Sequence, residues 1–289
     1  MKYVIKITVF LFMVSCGSAK VAELGSETAK KGEEVSQHAI DLYRSLSKQS
    51  EIEKAQRDRV KILTNPNPAS MTIPDTKPQD FSEQIEKRII AYRQLLEAYE
   101  YFEQLTDKKY SEKTEELGSA LQESYNALEQ LPDLPDEAAS KLGSLLKKIT
   151  EASQAKKIKE HSLAFHHLTE VYHILWEKEK AIWNAYLDRV YDDYIAELNT
   201  VKSQRYDAKK ILELYDFPYS DEAVIILFYR LEQREKIVAH KKELVEQLND
   251  VGEMLQELST AHEKLAEKKI TVSDILQALK EIENLLKDE

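Results

Sequence analysis

Cysteine, glycine and proline are scarce in this chain of 289 residues, which holds one cysteine, six glycines and seven prolines. A single cysteine excludes an intrachain disulfide, so the fold must depend on packing alone. The prolines leave the ranges 79–131, 136–217 and 219–289 uninterrupted. Because a β-protein needs many turns, so few turn-forming residues favour an all-α chain.

The net charge is −11, from 52 acidic and 41 basic residues whose signs alternate along the chain without a polybasic block. Such a surface suits nucleic acid poorly, so we expect no nucleic-acid partner, and an anionic membrane would also repel it. With 42% hydrophobic and 32% charged residues, the composition is that of a folded chain.

The first sixteen residues have the pattern of an export signal. Two lysines precede an apolar run at 7–14, which is too short to span a bilayer. The sequence Met13-Val14-Ser15-Cys16 then resembles the lipobox of bacterial lipoproteins, although Met13 stands where Leu is usual. The resemblance implies that residues 1–15 are removed and that Cys16 is the site of lipid attachment. The alternative is an ordinary cleaved signal with a chance cysteine.

Gly17 follows the lipobox-like cysteine. In enterobacteria-like sorting, a residue other than Asp at this place implies the outer membrane. We therefore expect an exported protein that is lipid-anchored to a bacterial membrane, either to the outer membrane facing the periplasm or at the cell surface. Each buried methylene contributes about 0.8 kcal/mol, so more than one acyl chain gives lasting attachment.

Apolar residues at steps of three and four predict about six helices, several of them very long. We expect an elongated antiparallel bundle that resembles a coiled coil. The predicted organisation is a signal peptide at 1–15, a lipidated N-terminus and first helix at 16–63, a proline-rich loop at 64–80 and a helical bundle at 81–289. Within the bundle we expect helices over about 82–106, 111–130, 136–215 (with a break or bend near Gly143 and again near 200), 221–267 and 271–287.

Two regular apolar seams lie near the carboxyl end of the chain. The first keeps heptad spacing, with a histidine in its one remaining core position: Leu244, Leu248, Val251, Leu255, Leu258, His262 and Leu265. The second contains Ile275, Leu279, Ile282 and Leu286. These seams could close within one chain or between two, so the oligomeric state stays open. The short connection "AEKKITVSD" would allow the last helix to fold back on its own chain.

The densest polar cluster is "HSLAFHHLTEVYHILW" at 161–176. Glu170 and His173 have the Glu-x-x-His spacing of a di-iron carboxylate helix, but no second such motif is present. His167-Leu-Thr-Glu170 resembles the His-x-x-Glu motif of the imelysin-like, all-helical exported proteins linked to iron uptake, although Phe165 stands where that family has Gly. A metal site would therefore use His167, Glu170 and His173.

Helical geometry weighs against a buried metal centre. At 100° per residue, His166, Glu170 and His173 share a face opposite the apolar stripe of Leu168, Val171, Tyr172 and Leu175. We therefore expect a solvated or partner-facing polar face, and we expect no cofactor. Metal binding stays as the alternative.

Two further features have competing interpretations. One is an aromatic series that we expect to fill the core, with a glycan- or peptide-binding surface as the alternative: Phe165, Tyr172, Trp176, Trp183, Tyr186, Tyr191 and Tyr194. The other is the apolar stretch "DEAVIILFYR" at 221–230, which we expect to be a buried helix start. Its alternative is a membrane-inserting segment.

Motifs of common enzymes are missing: the sequence has no Gly-x-Ser-x-Gly, no glycine-rich phosphate loop and no His-Glu-x-x-His. We therefore expect no catalysis. The expected role is a lipid-anchored interaction, scaffold or spacer component of the bacterial cell envelope. Its partners would be the membrane, through the anchor, and another envelope protein. The alternatives are a helical metal-binding or metal-uptake accessory protein and a membrane-active helical bundle.

Overall fold

The computed structural model describes residues 19–49, 79–106, 114–131, 134–153, 158–203, 223–267 and 272–287. Within these ranges every regular element is a helix, which confirms the prediction of an all-α bundle. The described helices number seven rather than about six. They are α1 (19–49), α2 (Gln79–Thr106), α3 (Thr114–Glu129), α4 (Asp136–Ser153), α5 (Ile158–Ser203), α6 (Ala223–Ala266) and α7 (Val272–Leu285).

The very long helices are present: α5 has 46 residues and α6 has 44. A break or bend was predicted near Gly143, and the break is wrong, because α4 continues through this residue to Ser153. Leu142 and Leu145 on either side of it are 4% and 0% exposed. Burying two leucines outweighs the roughly 0.5–1 kcal/mol that a helical glycine costs.

Several predicted segments lie outside the described residues. They include the signal region with Cys16, the part of the first helix beyond residue 49, and the proline-rich loop up to residue 78. The break expected near 200 also stays a prediction, because residues 204–222 are not described. The apolar stretch at 221–230 is helical from Ala223, but its side chains lie outside the described set. Among the described helices, none combines the length and the apolar character needed to cross a membrane.

The chain divides into two compact units. The first contains residues up to Arg44, Asp80–Lys178 and Asn249–Glu289, and the second contains Ser45–Gln79 and Glu179–Leu248. The first unit therefore contains α3, α4 and α7 whole, most of α1 and α2, the beginning of α5 and the end of α6. We describe each unit separately.

Aromatic rings from three helices meet in the core of the first unit. Tyr43 of α1 lies 5.5 Å from Trp176 of α5 between ring centroids, and Tyr92 of α2 lies 5.0 Å from Tyr172. All four rings are at most 1% exposed. The apolar stripe of α5 thus faces inward, which confirms the prediction that these aromatic residues fill the core rather than form a surface.

The predicted seam of α6 is also buried. Its six apolar members from Leu244 to Leu265 are at most 1% exposed, and His262 is fully buried among them. The last helix folds back on the same chain, because Ile275 and Leu279 of α7 share a cluster with Leu265 of α6 and Leu24 of α1. Five residues connect α6 to α7, which keeps this closure local.

Helices α3 and α4 pack against each other and complete the first unit. The connection between them is short, and Leu131 within it is only 5% exposed. Ser124 of α3 reaches the core of the unit, where its hydroxyl lies 3.2 Å from that of Tyr172. This contact links α3 to α5 across 48 positions of the chain.

The second unit contains the later part of α5 and the first part of α6, up to Leu248. Trp183, Leu187 and Tyr191 of α5 are at most 3% exposed, and Tyr191 makes an edge contact with His240 at 6.4 Å. Lys241 of α6 pairs with Asp188 of α5 at 2.7 Å. The core of this unit is again aromatic, as predicted for the α5 series. The side chain of Tyr194 lies outside the described residues.

Candidate functional site

The histidine-rich face of α5 brings three potential metal ligands together in the first unit. His166, His167 and Glu170 each offer one ligand atom, and these atoms lie within 4.8 Å of one another. Their positions follow from the helix, because steps of three and four residues put side chains on neighbouring places of one face. The buried Phe165 and Leu168 fix the rotation of α5 against the core.

His166 is oriented by α6. Its Nδ1 lies 3.1 Å from the carbonyl oxygen of Ser259 and 3.0 Å from the hydroxyl of the same residue. A carbonyl can only accept a hydrogen bond, so the tautomer that forms this bond carries its hydrogen on Nδ1 and donates to the carbonyl oxygen of Ser259. In the neutral imidazole, Nε2 then has its lone pair available for a ligand or a proton donor.

Glu170 is oriented by α4 and by its own helix. Lys141 of α4 donates a hydrogen bond from its ammonium group to Oε1 of Glu170. The other carboxylate oxygen, Oε2, lies 3.8 Å from Nδ1 of His167. The side chains of His167 and Glu170 are 28% and 30% exposed, so the cluster is open to solvent on one side only.

The electrostatics of the cluster follow from partial burial and from neighbouring charges. Burial lowers the pKa of His167, and the charge of His166 lowers it further against the opposing effect of Glu170. Burial alone would raise the pKa of Glu170. The hydrogen bond and charge of Lys141, with smaller contributions from the two histidines, outweigh that effect and lower the pKa. Glu170 is therefore a carboxylate at neutral pH, able to accept a cation.

The structure differs from the sequence-based site in two respects. The face, which the sequence predicted to be solvated or partner-facing, is half-buried against α4 and α6 of the same chain, because Lys141 and Ser259 cover part of it. His173 does not belong to the three-residue group, and His166 takes its place. Six residues separate His167 from His173, which is about 9 Å along a helix axis, too far for both imidazoles to bind one ion.

Sequence reasoning missed Lys141 and Ser259 entirely. They lie 29 and 93 positions away from their partners on α5, and neither belongs to a motif. Periodicity predicts which face of α5 is polar, but it does not predict which helices cover that face. Only the packing of α4 and α6 against α5 supplies these contacts.

A second polar feature of the first unit is an acidic groove of about 460 Å³ between α6 and α7. Burial raises the pKa of Glu257 there, and the charge of Glu281 and a hydrogen bond to it raise it further. The carboxyl groups of Glu257 and Glu281 thus lie close together on this surface. Exposed carboxylates on helices are common without a ligand, so we assign the groove no function.

The predicted lipid-attachment residue, Cys16, lies outside the described residues, and its role stays a prediction. The described part of α1 includes residue 19, only three positions further along the chain. Comparison of the chain with protein-family models, with curated proteins and with solved structures found no match.

Proposed function

We propose that the chain is a lipid-anchored, exported helical protein that acts by binding another component of the bacterial cell envelope, without catalysis. The anchor would be Cys16, at the end of the lipobox-like sequence. The net charge of the whole chain is −11, and removal of Lys2 and Lys6 with the signal would make it −13. This charge would repel anionic lipid headgroups, so attachment would depend on the acyl chains rather than on surface charge.

The observation that carries this proposal is the short distance along the chain from Cys16 to the folded core. Leu24 of α1 is fully buried in a cluster with Leu265 and Ile275. Residues 17 and 18 and about one and a half turns of α1 separate Cys16 from Leu24, a reach of about 18 Å at most. An acylated Cys16 would therefore hold the first unit close to the membrane surface, where it could meet a membrane-associated partner.

In-cell cross-linking followed by affinity capture and mass spectrometry tests the proposal. The comparison is between the full chain and its Cys16→Ser variant, which keeps every described residue and loses the acylation site. We expect one defined envelope protein to be captured with the wild type and lost with the variant. Capture of the same protein by both, or self-links alone, would contradict a function that depends on tethering.

A further inference from the structure

We propose that His166, His167 and Glu170 form a binding site for a divalent late first-row transition-metal ion, with Lys141 holding the carboxylate when no metal is bound. This site is independent of the proposed anchoring function, because every residue of it lies in the folded first unit. The ligand set is two imidazoles and one carboxylate, with solvent on the open side.

The geometry of the three ligands fits such an ion. Metal–ligand bonds of about 2.0–2.2 Å in a tetrahedral site place ligand atoms roughly 3.4 Å apart. The three atoms now lie within 4.8 Å, so side-chain rotations that shorten these separations by up to about 1.4 Å would suffice. His167 and Glu170 are partly exposed and have room for that movement.

The orientation of His166 is the second observation that points to a ligand. Metal-binding histidines usually donate their other ring N–H to a carbonyl or carboxylate, which selects the tautomer and aims the free nitrogen. The hydrogen bond from Nδ1 of His166 to the carbonyl of Ser259 has this form. Ser259 is only 8% exposed, so its backbone is held by the packing of α6.

The surrounding charge selects the class of ion. Lys141 bonds to Glu170, and Lys148 is close enough for its charge to act on His167. A single carboxylate beside two ammonium groups suits Ca²⁺ or Mg²⁺ poorly, because hard ions need several oxygen ligands. Imidazole nitrogen binds Zn²⁺, Cu²⁺ and Ni²⁺ through bonds that depend less on net charge.

The ammonium group of Lys141 competes with a metal ion for the carboxylate of Glu170. This ammonium group occupies Oε1 of Glu170, so an incoming ion must either displace it or use Oε2 alone. Both side chains are about one-third exposed, where an ion pair is weak enough to be exchanged. Removing the amine of Lys141 should therefore tighten metal binding. If metal bound nonspecifically elsewhere on the surface, removing this amine would leave the affinity unchanged.

The test is Zn²⁺ binding by the purified full chain in competition with a chromophoric chelator. The Cys16→Ser variant serves as background, since it removes the only thiol of the chain, a competing zinc ligand. We expect one Zn²⁺ per chain, at least about tenfold weaker binding in Glu170→Gln and in His167→Ala, and binding up to about fivefold tighter in Lys141→Met. Excess Ca²⁺ or Mg²⁺ should not displace the zinc.

Two matched controls come from α6. His240 and Glu243 have the same three-residue spacing, with Nδ1 and Oε2 3.5 Å apart, but they are more exposed. His240→Ala should leave zinc affinity unchanged, and so should Lys236→Met, which removes a lysine paired with Glu232. Circular dichroism of each variant verifies that the helices are retained.

Three results would overturn the proposal. The first is a wild type that binds Zn²⁺ no more tightly than the double variant His167→Ala/Glu170→Gln. The second is a zinc affinity that falls in His240→Ala. The third is a Lys141→Met variant that binds Zn²⁺ no more tightly than the wild type. The opposite signs expected for Glu170→Gln and Lys141→Met separate a built site from incidental binding by surface histidines.

Discussion

Tyr99 and His262, which are 163 positions apart in the chain, form a hydrogen bond of 3.1 Å between the phenolic oxygen and Nε2 inside the core of the first unit. Both residues are fully buried. The imidazole stacks on Phe165 at 5.0 Å, and Phe102 lies 5.5 Å away. A histidine thus fills the one polar position of the α6 seam as a neutral ring.

This burial makes the stability of the protein sensitive to acid. Burial, followed by the charge of His166, lowers the pKa of His262 to about 3. Because the unfolded chain protonates near pH 6.5, stability is full above that pH and is lost as the pH falls towards 3. For one such group, the free energy of unfolding changes with a slope of at most about 1.4 kcal/mol per pH unit.

The variant His262→Phe should remove that slope while keeping the stacking. At pH 7 we expect it to cost about 1–3 kcal/mol, because the Tyr99 hydroxyl loses its partner. The difference from the wild type should then shrink as the pH falls from 6.5. Urea unfolding at several pH values measures it, and Tyr99→Phe, which keeps the imidazole, should retain the slope. A constant difference between pH 6.5 and 4 would contradict the neutral buried histidine.

Glu33 should make the protein less stable as the pH rises, which is opposite to the effect of His262. Its pKa is raised to about 7, first by burial and then by Glu103 and Glu100. The folded protein therefore keeps a proton that the unfolded chain releases above about pH 4.5, so stability falls as the pH rises from 4.5 to 7. Glu33→Gln should be more stable than the wild type at pH 8, and the gain should vanish at pH 4.

The neighbouring Glu34 provides the control for this prediction. It is exposed and forms an ion pair with Lys31 at 2.6 Å. Glu34→Gln should therefore give no stabilisation at pH 8. Equal effects of the two substitutions in thermal unfolding would show that general charge reduction, rather than the buried carboxyl at position 33, is responsible.

Two helical glycines should respond oppositely to alanine. A Cβ at Gly32 would overlap the ring of Tyr99, whereas a Cβ at Gly143 would meet nothing within 4 Å. Overpacking of this kind costs about 1–3 kcal/mol, so Gly32→Ala should destabilise the protein. Gly143→Ala should stabilise it by about 0.5–1 kcal/mol through helix propensity. Denaturant unfolding of both variants measures the change in the free energy of unfolding. A change of the same sign in both variants would contradict the close approach of α1 to α2.

The buried hydroxyl of Tyr172 connects three helices. It donates a hydrogen bond of 2.7 Å to the carbonyl of Ala91 and lies 3.2 Å from the Ser124 hydroxyl. Tyr172→Phe should cost about 1–3 kcal/mol, because both polar neighbours lose a partner away from water. Ser124→Ala should cost less, since the bond to Ala91 remains. If chemical denaturation gave the larger loss for the serine, the assignment of Ala91 as the main acceptor would fail.

The sequence predicted which face of each helix is buried better than it predicted which helices pack against that face. The heptad seam of α6 and the aromatic stripe of α5 are buried as expected, because periodicity alone determines which face is apolar. The contact of His166 with Ser259 could not be predicted, since it depends on how α6 lies against α5. The prediction at Gly143 failed for a related reason. The low helix propensity of glycine favoured a break, but the burial of the flanking leucines, which is a tertiary effect, keeps the helix continuous.

Metabolic labelling of the full chain with an alkyne-bearing fatty acid, followed by fractionation of the cells, tests the proposed tethering most directly. The proposal predicts that the label attaches to the wild type in the membrane fraction, at a mature N-terminus beginning with Cys16. The Cys16→Ser variant should carry no label and should leave the membrane. An unlabelled wild type, or equal membrane retention of the two proteins, would contradict the lipid anchor and with it the proposed function.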